Sequence, residues 1–145
     1  MKIQTSTDYA IRILRFLCAN KGEMHPAMLI STSIGAAYPV FIRIATQLRQ
    51  KGLLRAVPGK NGGYELGRPA HEISVYDALS AMEGDLYLVD CLRKGERCGN
   101  GDEHNCGMHT FFYGVQESMI AAMASTTIAD LARTKDCPHG NDQIA

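Results

Sequence analysis

The sequence predicts a mostly α-helical chain carrying one small β-hairpin, and three observations lead there. Apolar residues recur at helical spacing in stretches that begin near Thr5, Ala27, Tyr38, Ser74 and Met108. Two short β-like runs, residues 53–57 and 64–66, flank a turn containing Asn61–Gly62. Gly22, Gly35, Gly52 and Gly84 stand where the first four helical patterns stop.

Taken in order, the first helix is expected to start at Thr5, with Thr5 and Asp8 at capping-box spacing. Tyr9, Ile11, Ile13, Leu14, Phe16, Leu17 and Cys18 make it apolar over most of its surface, and Arg12 and Arg15 share a polar stripe. Cys18 lies amid the apolar run and reads as a core thiol. Pro26 sits at a permitted first-turn position of a short second helix, residues 27–33. After Gly35, Tyr38–Pro39 opens a third helix that reaches about Lys51. Two helices joined by a short Gly-containing turn form a helix-turn-helix pattern. A hairpin directly after it is a wing, with Lys60 and Asn61 at the tip beside Gly62 and Gly63. Ser74 caps a fourth helix through about Met82. The last long helix runs from about Met108 to Ala124, with Phe111, Phe112, Val115, Met119 and Met123 at helical spacing, and a short helix begins at Ile128. A helix this apolar beyond a complete small domain needs a partner surface, and a second copy of the chain is the economical one. The fold class is therefore a winged helix-turn-helix plus a C-terminal dimerisation helix.

Charge divides the chain. Residues 1–68 hold ten Lys/Arg against three Asp/Glu, whereas residues 69–145 hold five against twelve. A basic half joined to an acidic half suits one module on phosphate and another off it. Tyr38, Arg43, Lys60, Asn61, Gly62 and Gly63 are the candidate contacts to double-stranded DNA. No run of apolar residues is long enough to span a membrane, and the polar N-terminus lacks a signal core, so a cytoplasmic, reducing setting is expected.

In that setting clustered cysteines point to metal or redox chemistry before disulfides. Cys91, Cys98 and Cys106 fall in one Gly-rich polar segment with spacings C-x6-C and C-x7-C. These are not the paired knuckles of zinc ribbons. Three thiolates and one weaker ligand suit an iron–sulfur centre; zinc and redox-active thiols are the alternatives. His109, three residues past Cys106, is able to coordinate through a neutral imidazole, or is a plain surface histidine. Cys137 and His139 in the polar tail are assigned no role.

Thr7–Asp8–Tyr9–Ala10, the wing Gly59–Lys–Asn–Gly–Gly63 with Leu66–Gly67, residues 73–83, Leu88–Val–Asp–Cys91 and Thr127–Ile–Ala–Asp–Leu131 together resemble the Rrf-two family of bacterial winged-helix transcription regulators. The resemblance covers about residues 1–133, and its flavour is that of the NsrR-like branch. It implies a homodimer, a cluster on Cys91, Cys98 and Cys106, and cluster-dependent operator binding. In the NsrR-like branch an aspartate matching Asp8 ligates a 4Fe–4S cluster across the dimer, and Asp8 is the favoured fourth ligand. In the IscR-like branch a histidine matching His109 ligates a 2Fe–2S cluster, and this is the alternative. Two features depart from the family: longer cysteine spacers, and an apolar start to the recognition helix, Tyr38–Pro–Val–Phe–Ile42, which offers few groups to base edges.

The resulting expectation is a DNA-binding winged helix over residues 1–84, a cluster-binding loop over 85–107, a dimerisation helix and short terminal helix over 108–133, and a flexible tail over 134–145. The function expected is transcription regulation, as a repressor, switched by an iron–sulfur cluster that senses nitric oxide, redox state or iron–sulfur status. The rivals are a cluster-free thiol- or zinc-dependent regulator of the same fold and a small metal-thiolate redox enzyme. No nucleophile–base pair or nucleotide loop supports the enzyme.

Overall fold

The computed structural model describes residues 2–99, 101 and 105–134. Residues 135–145, the expected flexible tail with Cys137 and His139, lie outside the described residues.

Six helices and one hairpin follow in the expected order: α1 (Thr5–Ala19), α2 (Ala27–Ile34), α3 (Tyr38–Gln50), β1 (Leu54–Val57), β2 (Gly63–Leu66), α4 (Val75–Glu83), α5 (Gly107–Ser125) and α6 (Ile128–Arg133), with single 3-10 turns at Ala70–Glu72 and Asp90–Leu92. The chain axis turns by 107° between α2 and α3, the geometry of a helix-turn-helix. Gly35 makes the turn by adopting the left-handed conformation, φ 72°, which a side chain would oppose. Among the described residues no single helix is long and apolar enough to cross a membrane.

The core joins Ile13, Leu14 and Leu17 of α1, Ile30 of α2, Phe41, Ile44 and Leu48 of α3, Leu53, Ile73, Ala78 of α4 and Ile128 of α6. Cys18 is buried there, as expected. The short terminal helix thus belongs to this core rather than to the arm that precedes it: Ile128 is fully buried, and its N–H donates to Ile73 O at 2.8 Å. A Thr127–Asp130 capping box fixes the start of α6, and Arg15 of α1 reaches its end, donating to Leu131 O and Thr134 O at 3.1 and 2.7 Å. Arg15 therefore does not share a solvent stripe with Arg12.

The start of α1 also differs from expectation. Its N-cap is Gln4, with no side-chain cap, and Thr5 lies inside the helix. The capping function comes from far along the chain. Glu83, the last residue of α4, accepts from Gln4 N–H at 3.1 Å and from the fully buried Thr7 hydroxyl at 2.6 Å. A carboxylate there meets both the orphan amides and the positive end of the helix dipole. Ser74 does cap α4, in a reciprocal box with Asp77.

β1 and β2 pair antiparallel with Leu54 opposite Leu66 and Val57 opposite Gly63. Gly62 N–H donates to Gly59 O at 3.0 Å, so Lys60 and Asn61 form the tip of a tight turn. The hairpin is clamped to the domain twice. His25 and Tyr64 exchange backbone hydrogen bonds at 3.2 and 2.8 Å, and the Tyr64 ring meets Phe41 of α3 edge-on at 5.3 Å.

Candidate nucleic-acid interface and cysteine centre

The exposed side of α3 is set by what its other side buries. Phe41, Ile44, Ala45 and Leu48 enter the core, which turns Pro39, Arg43, Thr46 and Gln50 outward along one stripe, flanked by exposed Arg49. The apolar start noted in the sequence therefore does not define the reading surface. Phe41 is buried and Ile42 half-buried, while the Arg43 guanidinium and the Gln50 amide face out beside Thr46, whose hydroxyl donates to Ile42 O at 2.8 Å. These groups match base-edge donors and acceptors. Thr46, Arg49 and Gln50 were missed at the sequence level, because helix phase is known only once the core face is known. Tyr38 and Arg43 are exposed, as are Lys60 and Asn61 on the wing tip.

Gly62 and Gly63, candidate DNA contacts in the sequence, are also positions where a side chain would not fit. A Cβ on Gly62 would lie 2.0 Å from Val57 O, and one on Gly63 would lie 2.4 Å from His25 O. Both positions are bare because other backbone passes there, and the Gly62 amide is already engaged within the turn.

Two of the three cysteines are positioned by α5. Cys106 is the residue before its first turn, and Cys91 lies in the 3-10 turn that packs against α5. Cys98 is buried, Cys91 and Cys106 are half-buried, and none of the described cysteines is in a disulfide. Gln116, buried in the middle of α5, accepts from Leu88 N–H at 3.0 Å and so ties the approach to Cys91 onto the helix. No three His, Cys, Asp or Glu side chains among the described residues converge closely enough to hold an ion.

Of the two fourth-ligand candidates, His109 stands one helical turn after Cys106, and its Nδ1 is buried with no hydrogen-bond partner among the described residues. Leaving such an atom unsatisfied costs roughly 1–3 kcal/mol, and it wants a proton donor, an acceptor or a metal. Asp8 lies half-exposed on α1 and pairs with Arg12 at 2.9 Å. Among the described residues it is not grouped with the cysteines. The donor set of three thiols and an imidazole fits a soft or borderline metal centre.

α5 presents two faces. Phe112, Met119 and Met123 are half-buried and share the face of buried Gln116. Met108, Phe111, Val115, Ser118, Ala122 and Ser125 are exposed at alternating three- and four-residue steps. This spacing is the one a helix–helix seam uses. Met108 and Phe111 are 63% and 62% exposed, and Val115 36%.

Comparison with known proteins places these features. The Rrf2 family model, described as an iron-dependent transcriptional regulator, matches residues 3–134. Protein aau3 of Rhizobium meliloti is 28% identical over 136 residues, 93% of this chain and 87% of that protein. A Mycobacterium tuberculosis protein, Rv1287, named as an HTH-type transcriptional regulator, is 29% identical over 133 residues, 91% of this chain and 81% of that protein. Among solved structures, CymR of B. subtilis, described as the global cysteine regulator, superposes with a TM-score of 0.78 at 23% identity, covering 94% of this chain and 99% of CymR. IscR of T. potens gives 0.70 at 23% identity, covering 92% and 87%.

Proposed function

This chain belongs to the Rrf2 (Rrf-two) family of DNA-binding winged-helix transcription regulators, not enzymes, and from that premise we propose that it is a homodimeric, operator-specific repressor switched by an iron–sulfur centre on Cys91, Cys98 and Cys106. The observation that carries the reading is the orphaned, buried Nδ1 of His109, one helical turn after Cys106 at the head of α5. Bound there, a cluster would supply an iron reactive toward nitric oxide or oxidants. The chain's own part is to hold that reactive point at the start of the helix whose exposed seam pairs the subunits.

The seam supports a particular pairing. Its large side chains, Met108, Phe111 and Val115, lie at one end and its small ones, Ser118, Ala122 and Ser125, at the other. Antiparallel helices would set large against small along the whole contact, keeping the axes evenly spaced. A cytoplasmic location suits reduced thiols.

Two side chains compete for the fourth ligand position. Asp8 is the one the NsrR-like resemblance implies, donated across the dimer; it would have to leave Arg12, and a hard carboxylate on iron would be the natural point of attack for nitric oxide. His109 is favoured by its unpartnered Nδ1. Anaerobic purification of the wild type with Asp8→Ala and His109→Ala, followed by iron and sulfide analysis and visible absorption and electron paramagnetic resonance spectra, decides between them. The ligand's loss alters cluster spectrum and nitric oxide reactivity, while the other substitution leaves both unchanged. Iron-free protein that still binds its operator would instead establish the cluster-free thiol regulator, the reading favoured by the lack of a converged donor triplet among the described residues.

A further inference from the structure

Between the C-terminal half of α3 and strand β1 lies an open groove of about 480 Å³, lined by Thr46, Arg49, Gln50, Leu54, Arg55 and Ala56. Two guanidinium groups line it and no carboxylate does. Arg49 forms no ion pair among the described residues. Arg55 is 68% exposed at its side chain and pairs with Glu65, its direct neighbour across the hairpin. The position of Arg49 at a helix C-terminus would by itself explain a cation there. It does not explain a second arginine on the facing strand, nor a groove kept open between them.

The geometry of a duplex supplies the occupant. An α-helix with its side chains is about as wide as the major groove, so a docked helix fills it and a sugar–phosphate strand runs along each side. Any element packed beside that helix lies over one of those strands. β1 is held there through buried Leu54 and its neighbour Leu53, and through its partner strand β2, whose Tyr64 ring meets Phe41 of α3. The groove between α3 and β1 is then where the backbone strand passes.

We propose that this groove is a backbone clamp in which Arg49 and Arg55 bind phosphate oxygens of the duplex, and that Glu65 occupies Arg55 in the free protein as an internal stand-in for phosphate. A guanidinium offers five donors and takes carboxylate and phosphate through the same two-pronged geometry. On binding, Arg55 exchanges one anion for the other. Glu65 therefore lowers affinity for all DNA alike, restraining the basic half of the chain from holding non-specific sequence. The inference rests on family membership and is independent of the chemistry at the cysteines.

The test uses full-length protein and two labelled duplexes, one A·T-rich and one G·C-rich, with anisotropy titrations across a salt series. Arg49→Ala and Arg55→Ala should each weaken binding equally on both duplexes and lower the salt slope by about one unit. Glu65→Gln should tighten binding on both, and that gain should vanish in the Arg55→Ala background, as a double-mutant cycle requires for a direct couple. Thermal unfolding midpoints show that each variant is folded, and the Arg49 arm stands even if the hairpin variants are not. Loss on one duplex only would assign these arginines to base edges and overturn the clamp. Unchanged or weaker binding by Glu65→Gln, or an equal gain without Arg55, would overturn the stand-in.

Discussion

Gly63 separates two reasons for which a glycine is required. Its φ is +154°, and a Cβ would lie 2.4 Å from His25 O and 2.6 Å from His25 C. Gly63→Ala must therefore push β2 away from residue 25. The two His25–Tyr64 backbone hydrogen bonds, at 3.2 and 2.8 Å, stretch or break. Each contributes about 0.5–1.5 kcal/mol net. The unfavourable dihedral adds roughly 1 kcal/mol. The sum is a destabilisation of about 2–4 kcal/mol, together with a wing freed from the domain. Gly59→Ala is the internal control. That residue has φ +114°, yet a Cβ there meets nothing within 4 Å, so only the dihedral cost of about 1 kcal/mol applies. Urea unfolding followed by far-ultraviolet circular dichroism gives both values, and duplex affinity reports the wing. If Gly63→Ala is no less stable than Gly59→Ala, the close approach to residue 25 is not what holds the hairpin.

Three further outcomes are expected. Ile128→Ala should cost about 2–5 kcal/mol in denaturant unfolding despite its place near the end of the described chain, because Ile128 is fully buried in the winged-helix core. Phe111→Glu should split the dimer in sedimentation velocity, whereas Ser118→Glu should weaken it less; a Phe111→Glu protein of unchanged mass would remove the exposed seam as the pairing surface. Asp130 has its carboxyl held below the usual 3.8 by the Thr127 backbone N–H, then by the Thr127 hydroxyl, with Arg133 adding a smaller pull. A depressed carboxylate stabilises above its unfolded value and loses that contribution as pH falls through the folded one. Wild type should thus lose more thermal stability than Asp130→Asn on acidification through pH 3.8 and below, and parallel profiles would contradict the cap.

The sequence and the structure agree where a signal is local. Ser74–Asp77 and Thr127–Asp130 share one spacing and both form reciprocal caps. Thr5–Asp8 shows the same spacing and forms none, because Glu83, 76 positions beyond Thr7, supplies the carboxylate instead. The helix-turn-helix, the hairpin and the long α5 were all legible from periodicity and glycine placement. The return of α6 to the core was not, since its six residues say nothing about what lies beneath them. On the candidate DNA surface, the sequence singled out Tyr38 and Arg43 but not Thr46, Arg49 and Gln50, which face outward only because Phe41, Ile44 and Leu48 face inward. At the cysteines, the sequence gives the donors, but the unsatisfied nitrogen of His109 is a property of its surroundings.

The excursion that carries the cysteines leaves α4 at its last residue, Glu83, and rejoins it at its first, where Val75 N–H donates to Thr126 O at 2.8 Å. α5 is therefore anchored to the winged helix at its C-terminal end, besides the bond its Gln116 accepts from Leu88 N–H at its middle, and any movement of its Cys106 end would take that anchor as a hinge. Its 19 residues give it a length of about 28 Å. A displacement of about 1 Å at the Cys106 end swings it by about 2° around that hinge. In a two-fold pair each subunit would swing the same way relative to its own domain, so the change in angle between the two reading helices would be doubled. In the proposed dimer, small chemistry at one end of a stiff rod would become a change in the spacing at which two half-sites can be gripped together.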